Sequence, residues 1–557
     1  MSVCTTGIPL DAVKKNLTKI SDESVVVISD SKNSKNKDEH VSAAADAAKV
    51  IPELKNNVVD EKNETLNSGK TGISKPIKSG KGKSKKVYVD PLKATVGLRK
   101  KIKAVKKKLK AKMAYIDSDA TLLGKNKTSK KKPQNKTLDL SDIDDVLPDR
   151  LKKKYGDFVK NGRGKSIDEL ANIRKKLRIL RKITGPRIHS SKNNDTEITE
   201  GDGDSLLFQG DEELDAAQLD SIIASTARHY GVDMEPLKKF GVKSRPKRQA
   251  ILAPNDIPVD RLWPKTKAIK YYYDDDITPE TRSIIEQAFT NLENQTCLWF
   301  KEDEIAVPRI QFVNFGDACA SPVGYYKDSI HKIKIAKCLT NYGTISHEIL
   351  HVLGIKHQQA RYDRDDYLND AKGIEILDET NSDNFGSPYD YGSVMHYGRF
   401  DTTQKLYDQT IGHRVGPSFI DIAMINQRYN CFCKTPTVTC LNGGYPNPND
   451  CDSCICQHGY GSRTCGEIDP GTEDESEVIN VESDECQTFE KSLGIDNNIR
   501  YNYYKKVWYH FKAPPGKKVQ FIFLKGTDAD LSESDGCDDN GIEVKITKSK
   551  FNRTGFV

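Results

Sequence analysis

The sequence predicts a mixed α+β domain in the middle of the chain, followed by a small cystine-rich module and a partial β-sandwich. A largely disordered N-terminal third precedes them. Three observations carry this. Residues 1–204 are polar, lysine-rich and nearly free of aromatics, a composition that cannot offset the entropy of ordering. From Ile269 onward, short alternating apolar runs interleave with capped helical patterns. Of the 13 cysteines, only Cys4 lies before Cys297.

Taken in order, the N-terminal third carries two helical patterns. Leu98, Ile102, Val105, Leu109 and Met113 recur at helical spacing among lysines. A basic helix of this kind suits nucleic acid or an anionic surface, but no aromatics interleave for base stacking. The reading adopted is a solvated tail, and nucleic acid is not expected as a partner. Ser166 and Glu169 form a capping box ahead of Leu170, Ile173, Leu177 and Leu180, and Gly185-Pro186 ends that run. Next comes an isolated apolar knot, Leu206-Leu207-Phe208-Gln209-Gly210-Asp211, before a helix expected near Asp215. Its bland reading is a Gly-Asp turn. Arg245-Pro246-Lys247-Arg248 spells the R-x-K-R pattern of furin-like convertases, so cleavage after Arg248 is expected.

Beyond it, Ile269–Tyr273 reads as a strand. Thr278 and Pro279 read as the cap and first residue of a helix whose buried face is Ile284, Ile285, Ala288, Phe289 and Leu292. Ile310, Phe312 and Phe315 suggest a strand, and Ile333 with Ile335 another.

The chemistry lies in "HEILHVLGIKH", His347 to His357. His347 and His351 are four residues apart and share one face of a helix, where one Zn²⁺ can accept both imidazoles. Gly354 lets the helix stop and turn, so that His357 can arrive as a third ligand. Three histidines leave a coordination position open, which marks a catalytic rather than a structural zinc site. Glu348 follows the first ligand and is placed to act as a general base on water rather than as a ligand. A bare H-E-x-x-H on a helix is sometimes a surface accident; the full eleven-residue pattern is far more demanding, and it matches the metzincins. Those proteins also need a methionine turn, and Ser393-Val394-Met395-His396-Tyr397 supplies one.

On these residues the chain resembles the astacin family of zinc endopeptidases, in particular nematode members that add EGF-like and CUB domains. The likeness runs from about Leu206 to the C-terminus. It takes in Arg361, Asp363, Arg364 and Asp365 after the third histidine, and the stretch Tyr389 to Tyr397. The resemblance implies one zinc per catalytic domain. It implies that Tyr397 is a further zinc ligand at rest that swings away to steady the oxyanion; the bland reading is a packing residue beside the turn. Phe208, Gly210 and Asp211 match the F-x-G-D of astacin pro-segments, whose aspartate binds the catalytic zinc. At Gln358 the family usually has Glu, which meets the N-terminus of the mature enzyme; a cyclised Gln249 would suit the neutral amide. The loop 398–412 is shorter than usual.

The resemblance also implies disulfides Cys297–Cys431 and Cys319–Cys338 in the protease domain. In an EGF-like module it implies Cys433–Cys451, Cys440–Cys454 and Cys456–Cys465. A zinc knuckle, the rival reading of these clustered cysteines, would need two paired C-x-x-C knuckles. Cys486 and Cys537 are left to pair. The domains expected are a basic pro-region 1–204, a latency segment 205–248, a protease domain 249–431, an EGF-like module 432–466 and a truncated CUB-like domain 486–557. Asn294 and Asn552 head glycosylation sequons.

The net charge of +7 is small for 557 residues, and no apolar run reaches the roughly 18 residues of a membrane helix. Met1 to Asp22 lacks a secretory h-region, whereas the cysteines point to an oxidising compartment. The expectation is a secreted protein with incomplete chain ends. The function expected is a zinc endopeptidase, made as a zymogen, that cleaves extracellular proteins of matrix or cuticle. The alternative is an extracellular binding protein of little or no activity that works through its EGF-like and CUB modules.

Overall fold

The computed structural model describes residues 2–6, 25–29, 138–153, 165–185, 188–191, 194–197, 206–243, 261–482 with short gaps, 487–488, 505–515, 517–522 and 542–545. All belong to one unit made of residues 1–29 and 131–557. The amphipathic pattern 98–113 lies outside the described residues, as do Arg245, Arg248, Gln249, Cys486, Cys537 and Asn552. Among the described residues no helix is long and apolar enough to cross a membrane.

In chain order the elements are β1 (Ser2–Thr6), β2 (Val25–Ser29), α1 (Ile167–Thr184), β3 (Ile188–Ser191), β4 (Asn194–Glu197) and β5 (Glu212–Glu213). Then come α2 (Ala216–Tyr230), α3 (Met234–Lys238), β6 (Ile269–Tyr273), α4 (Pro279–Gln295), β7 (Phe300–Glu302) and β8 (Arg309–Val313). The site is completed by β9 (Ser321–Pro322), β10 (Ile330–Lys334), α5 (Tyr342–Val352) and α6 (Phe419–Tyr429).

The central sheet has the order β10-β8-β6-β7, all parallel. Helices α4 and α5 share its core, in which Ile284, Phe289, Phe312, Ile333, Ile349 and Met395 are buried together. Helix α4 starts because the Thr278 side chain accepts from the Thr281 amide and Pro279 occupies the first turn. Strand β8 ends at Val313, so Phe315, expected within it, falls beyond the strand and is 40% exposed.

The second core departs from the expected disorder. Helix α1 carries the Ser166–Glu169 capping box in full, and its stripe of Leu170, Ile173, Leu177 and Leu180 is buried. It packs against α2 in a cluster that runs from Leu140 through Phe208, Leu219, Ile223 and Val242 to Val323, Ala360 and Leu377. One core therefore spans both sides of residue 205, where the sequence suggested a boundary. Of the lysines of α1, Lys182 keeps a partly exposed side chain and Lys175 pairs with Asp145 at 2.6 Å, while Lys176 turns inward. Its ammonium is buried and paired with Asp220, and it also donates to the Gly241 carbonyl at 3.2 Å. Replacing Asp220 by Ala strands that charge, and breaking such a buried pair costs about 3–5 kcal/mol. Urea unfolding of the full chain is expected to show the loss as a lower midpoint. The double variant Lys176→Met with Asp220→Leu is expected to recover most of it.

The C-terminal third contains short hairpins β11 (Tyr445–Pro446) with β12 (Cys454–Ile455), and β13 (Tyr460–Gly461) with β14 (Glu467–Ile468). Strand β15 (Glu477–Asn480) follows, then β16 (Gln487–Thr488), β17 (Tyr509–Lys512) and β18 (Lys518–Ile522). Strands β15 and β17 pair in parallel. A four-stranded antiparallel sheet has the order β16-β1-β18-β2, so the first residues of the chain also depart from the expected disorder. Val481, Ala513, Val519 and Val544 join Tyr389, Tyr391 and Tyr407 in a third core. Disulfides link Cys297–Cys431, Cys319–Cys338, Cys433–Cys451, Cys440–Cys454 and Cys456–Cys465.

Candidate active site

Helix α5 begins where the Asn341 side chain accepts from the Thr344 amide, and it is buried continuously from Ile345 to Val352. That burial sets His347 and His351 on one inward face, one turn apart. Gly354 then reverses the chain at φ +92°, and a Cβ there would lie 2.2 Å from Arg428 Nη2. The positive φ is what requires glycine here. The reversal returns His357 to the same point.

His351 Nε2 and His357 Nε2 are 3.1 Å apart, and His357 Nε2 lies 3.3 Å from His347 Nε2. The Asp211 carboxylate joins them from far upstream, its Oδ2 lying 3.1 Å from His347 Nε2 and 3.2 Å from His357 Nε2. All four ligand atoms fall within 4.8 Å of one another, and all four residues are buried.

Proton placement decides what this group can hold. His347 Nδ1 is 2.7 Å from the Val394 carbonyl and His351 Nδ1 is 2.8 Å from the Ile355 carbonyl. A carbonyl only accepts, so each Nδ1 carries the proton and each Nε2 offers a lone pair. His357 Nδ1 faces acceptors as well, Gln209 Oε1 at 2.8 Å and Glu212 Oε1 at 3.2 Å. Three lone pairs and a carboxylate thus converge, and among the described residues Asp211 Oδ1 is buried without a hydrogen bond. A cation satisfies that arrangement, and three imidazoles with one carboxylate suit tetrahedral zinc. Burial, with the neighbouring His347 and His357, holds the His351 imidazole well below its ordinary pKa and keeps it a neutral ligand.

Asp211 reaches the site on a tight hairpin. The Phe208 and Glu212 backbones bond to each other at 2.9 and 3.1 Å. Gln209 at φ +50° and Gly210 at φ +102° make the turn between them. Phe208, 1% exposed, anchors it in the second core. The segment then adds to the central domain: β5 pairs in parallel with β9, and the Ser321 amide donates to the Asp211 carbonyl at 3.0 Å. Helix α2 continues across the cleft. Its Gln218 donates to the Val323 carbonyl at 3.2 Å and accepts from the Tyr326 hydroxyl at 2.7 Å. At its other end Ser225 and Tyr230 donate to the carbonyls of Ile376 and Ile374, at 2.8 and 3.2 Å.

Glu348 stands beside the four-group cluster without belonging to it. Ser321 Oγ donates to its carboxylate at 2.7 Å. Burial and the nearby Asp211 charge raise its pKa well above the ordinary range in this state. The Tyr397 hydroxyl donates to the Gln209 carbonyl at 2.7 Å, so in this state it serves the hairpin. Beneath the site, the Met395 turn is held by Asp421 of α6, which accepts from Ser393 Oγ at 2.6 Å and from the Val394 amide at 2.9 Å. Burial and the neighbouring Asp390 push the Asp421 carboxyl up to about 6. His396 donates from Nδ1 to the Tyr397 carbonyl and accepts from the Tyr389 hydroxyl, both at 2.7 Å. Arg364 is fully buried and donates to the Gln359, Ile374 and Glu375 carbonyls, fixing the loop that meets α2.

Several of these residues escaped the sequence reading: Gln209, Glu212, Ser321, Glu375 and Asp421. For Asp421 a signal was present, since Ser418 and Asp421 are spaced as a capping box, and both reciprocal bonds form. Gln358, singled out for its departure from the family pattern, is buried, and its Nε2 finds no hydrogen-bond partner among the described residues. Asn294 is exposed at the end of α4.

Residues 256–430 match the family model described as astacin, peptidase family M12A. Zinc metalloproteinase nas-31 of Caenorhabditis elegans is 29% identical over 438 residues, which are 73% of this chain and 65% of that protein. The chain thus spans just under two-thirds of the length of that relative. Zinc metalloproteinase nas-17 of the same organism is 31% identical over 323 residues, 55% of this chain and 70% of the relative. The solved high choriolytic enzyme 1, a hatching-enzyme zinc protease of Oryzias latipes, aligns with 31% of this chain and 96% of its own. Its TM-score is 0.28 and its identity 28%. With this donor set, the family-model match and the likeness to the Caenorhabditis elegans zinc metalloproteinases, the chain belongs to the astacin family of zinc metalloproteinases.

Proposed function

We propose that this chain is a secreted zinc-dependent endopeptidase made in a latent form, with Asp211 as the inhibitory ligand. One observation supports this above all: Asp211, His347, His351 and His357 converge on one point with Glu348 beside it. Zinc bound there supplies a Lewis acid that brings the pKa of a coordinated water to about 7.

The chain's own residues do the rest. Glu348 takes the proton of the attacking water and passes it to the leaving amine. The Tyr397 hydroxyl, once free of Gln209, donates to the carbonyl oxygen as it gains charge. The edge at Ser321–Pro322 binds an extended peptide by backbone hydrogen bonds. In the latent chain each function is occupied by the same few residues. Asp211 fills the open coordination position, the Gln209 carbonyl holds Tyr397, and β5 covers the edge strand.

Release follows from cleavage after Arg248 by a furin-like convertase that reads Arg245 to Arg248. The five disulfides among the described residues suit an oxidising extracellular compartment. Asn294 is a glycosylation site by its exposure, and Asn552 by its sequon alone. The pairing in 432–466 follows the EGF-like order, and the strands beyond it serve a CUB-like, substrate-presenting role. Substrates are extracellular proteins of matrix or cuticle.

The test is to cleave the purified chain at Arg248 and assay casein or gelatin with and without a zinc chelator. Activity abolished by chelation and restored by zinc supports the reading; activity indifferent to chelation sinks it, and so does a complete absence of proteolysis. A narrower prediction concerns Tyr397. In the processed chain Tyr397→Phe is expected to lower kcat by about 10²–10³-fold, the usual cost of one oxyanion donor, with KM little changed. Steady-state kinetics on a fluorogenic peptide separate the two.

A further inference from the structure

Each imidazole in the cluster has its Nδ1 proton held by an acceptor, but the acceptors differ in origin. Those of His347 and His351 are the backbone carbonyls of Val394 and Ile355, which belong to the catalytic domain and remain after processing. Those of His357 are both borrowed. Gln209 Oε1 at 2.8 Å and Glu212 Oε1 at 3.2 Å come from the hairpin that also carries Asp211.

Neither contact is incidental. Glu212 is wholly buried, an arrangement that is costly for a carboxylate unless charge surrounds it. Its Oε2 pairs with Lys356, the residue before His357, and its Oε1 makes no conventional hydrogen bond while facing the imidazole. Gln209 is fixed from its other end, where its Nε2 donates to Glu375 Oε2 at 3.1 Å. Its φ of +50° is uncommon for a side chain of its size. An acceptor on the far nitrogen of a metal-bound imidazole fixes the tautomer and raises ligand basicity, and a carboxylate does so most strongly.

We infer that the hairpin 208–212 is a metal-retaining device as well as a plug: Gln209 and Glu212 clamp His357 from behind while Asp211 ligates from the front. The latent chain then holds its ion more tightly than the processed enzyme, which loses a ligand and two outer acceptors together. The processed enzyme is then the form more open to chelation. This rests on the zinc reading of the site.

The test uses the full, uncleaved chain loaded with one zinc and challenged with excess chromogenic chelator, with release followed by absorbance. Glu212→Gln removes the charge at constant shape. Gln209→Asn keeps a residue tolerant of positive φ but withdraws the amide oxygen. Asp211 is intact in both. Each variant is expected to release zinc about 10–100-fold faster than wild type, the usual effect of losing an outer partner of a metal-bound histidine. The urea midpoint, measured alongside, reports the separate cost of unpairing Lys356 or Glu375, and release is read well below it, where every variant stays folded. Release at the wild-type rate in both variants overturns the inference and leaves Asp211 as the sole retaining group. A wild-type chain that carries no stoichiometric zinc overturns the zinc reading, and this inference with it, so the two failures are told apart.

Discussion

Glu348→Gln in the processed chain is expected to lower kcat by about 10²–10⁴-fold while one zinc per chain remains bound. The range is that of a positioned general base. Retention of the metal follows from geometry, because the four converging groups are Asp211, His347, His351 and His357, and Glu348 is not among them. An isosteric amide keeps the Ser321 contact at the same carboxylate position yet cannot take a proton from water. Elemental analysis with steady-state kinetics on the same sample checks both halves. Undiminished turnover would remove Glu348 from the mechanism, and loss of zinc would make it a ligand instead.

The second large effect is on latency. Asp211→Ala in the uncleaved chain is expected to turn a silent protein into a partly active one. Truncating one partner of a buried charge pair costs about 2–5 kcal/mol, which raises the open population on the order of 30-fold or more. Activity should still stay below that of the processed chain. The Asp211 backbone remains bonded to Ser321, β5 remains on the edge strand, and α2 still reaches from Val323 to Ile376. Peptide hydrolysis by the uncleaved variant, with a convertase inhibitor present, measures it. A variant as silent as wild type would show that the α2 bridge and edge pairing suffice for latency.

These expectations rest on features of unequal legibility in the sequence. The three histidines were readable because helical periodicity puts residues four apart on one face and because glycine is the residue that reverses a helix end. Thr278 and Asp215 were readable as helix starts because capping chemistry is local. The acceptors behind the histidines were not. Val394 lies 47 residues from His347, and Gln209 lies 148 from His357, distances that only the folded chain closes. Helix α1 was readable from its capping box and apolar stripe, but its burial was not: lysines dominate the composition around it, and the stripe is covered only once α2 lies against it. Phe315 failed because alternation alone does not say where a strand stops.

Closure of the zinc by the chain's own aspartate is tested most directly by X-ray absorption at the zinc edge of the latent, full-length chain. One zinc per chain is expected, with three imidazole nitrogens and one carboxylate oxygen in the first shell, and with a water oxygen in place of that carboxylate oxygen in Asp211→Ala. An unchanged spectrum in Asp211→Ala, or a first shell containing sulfur, would contradict it.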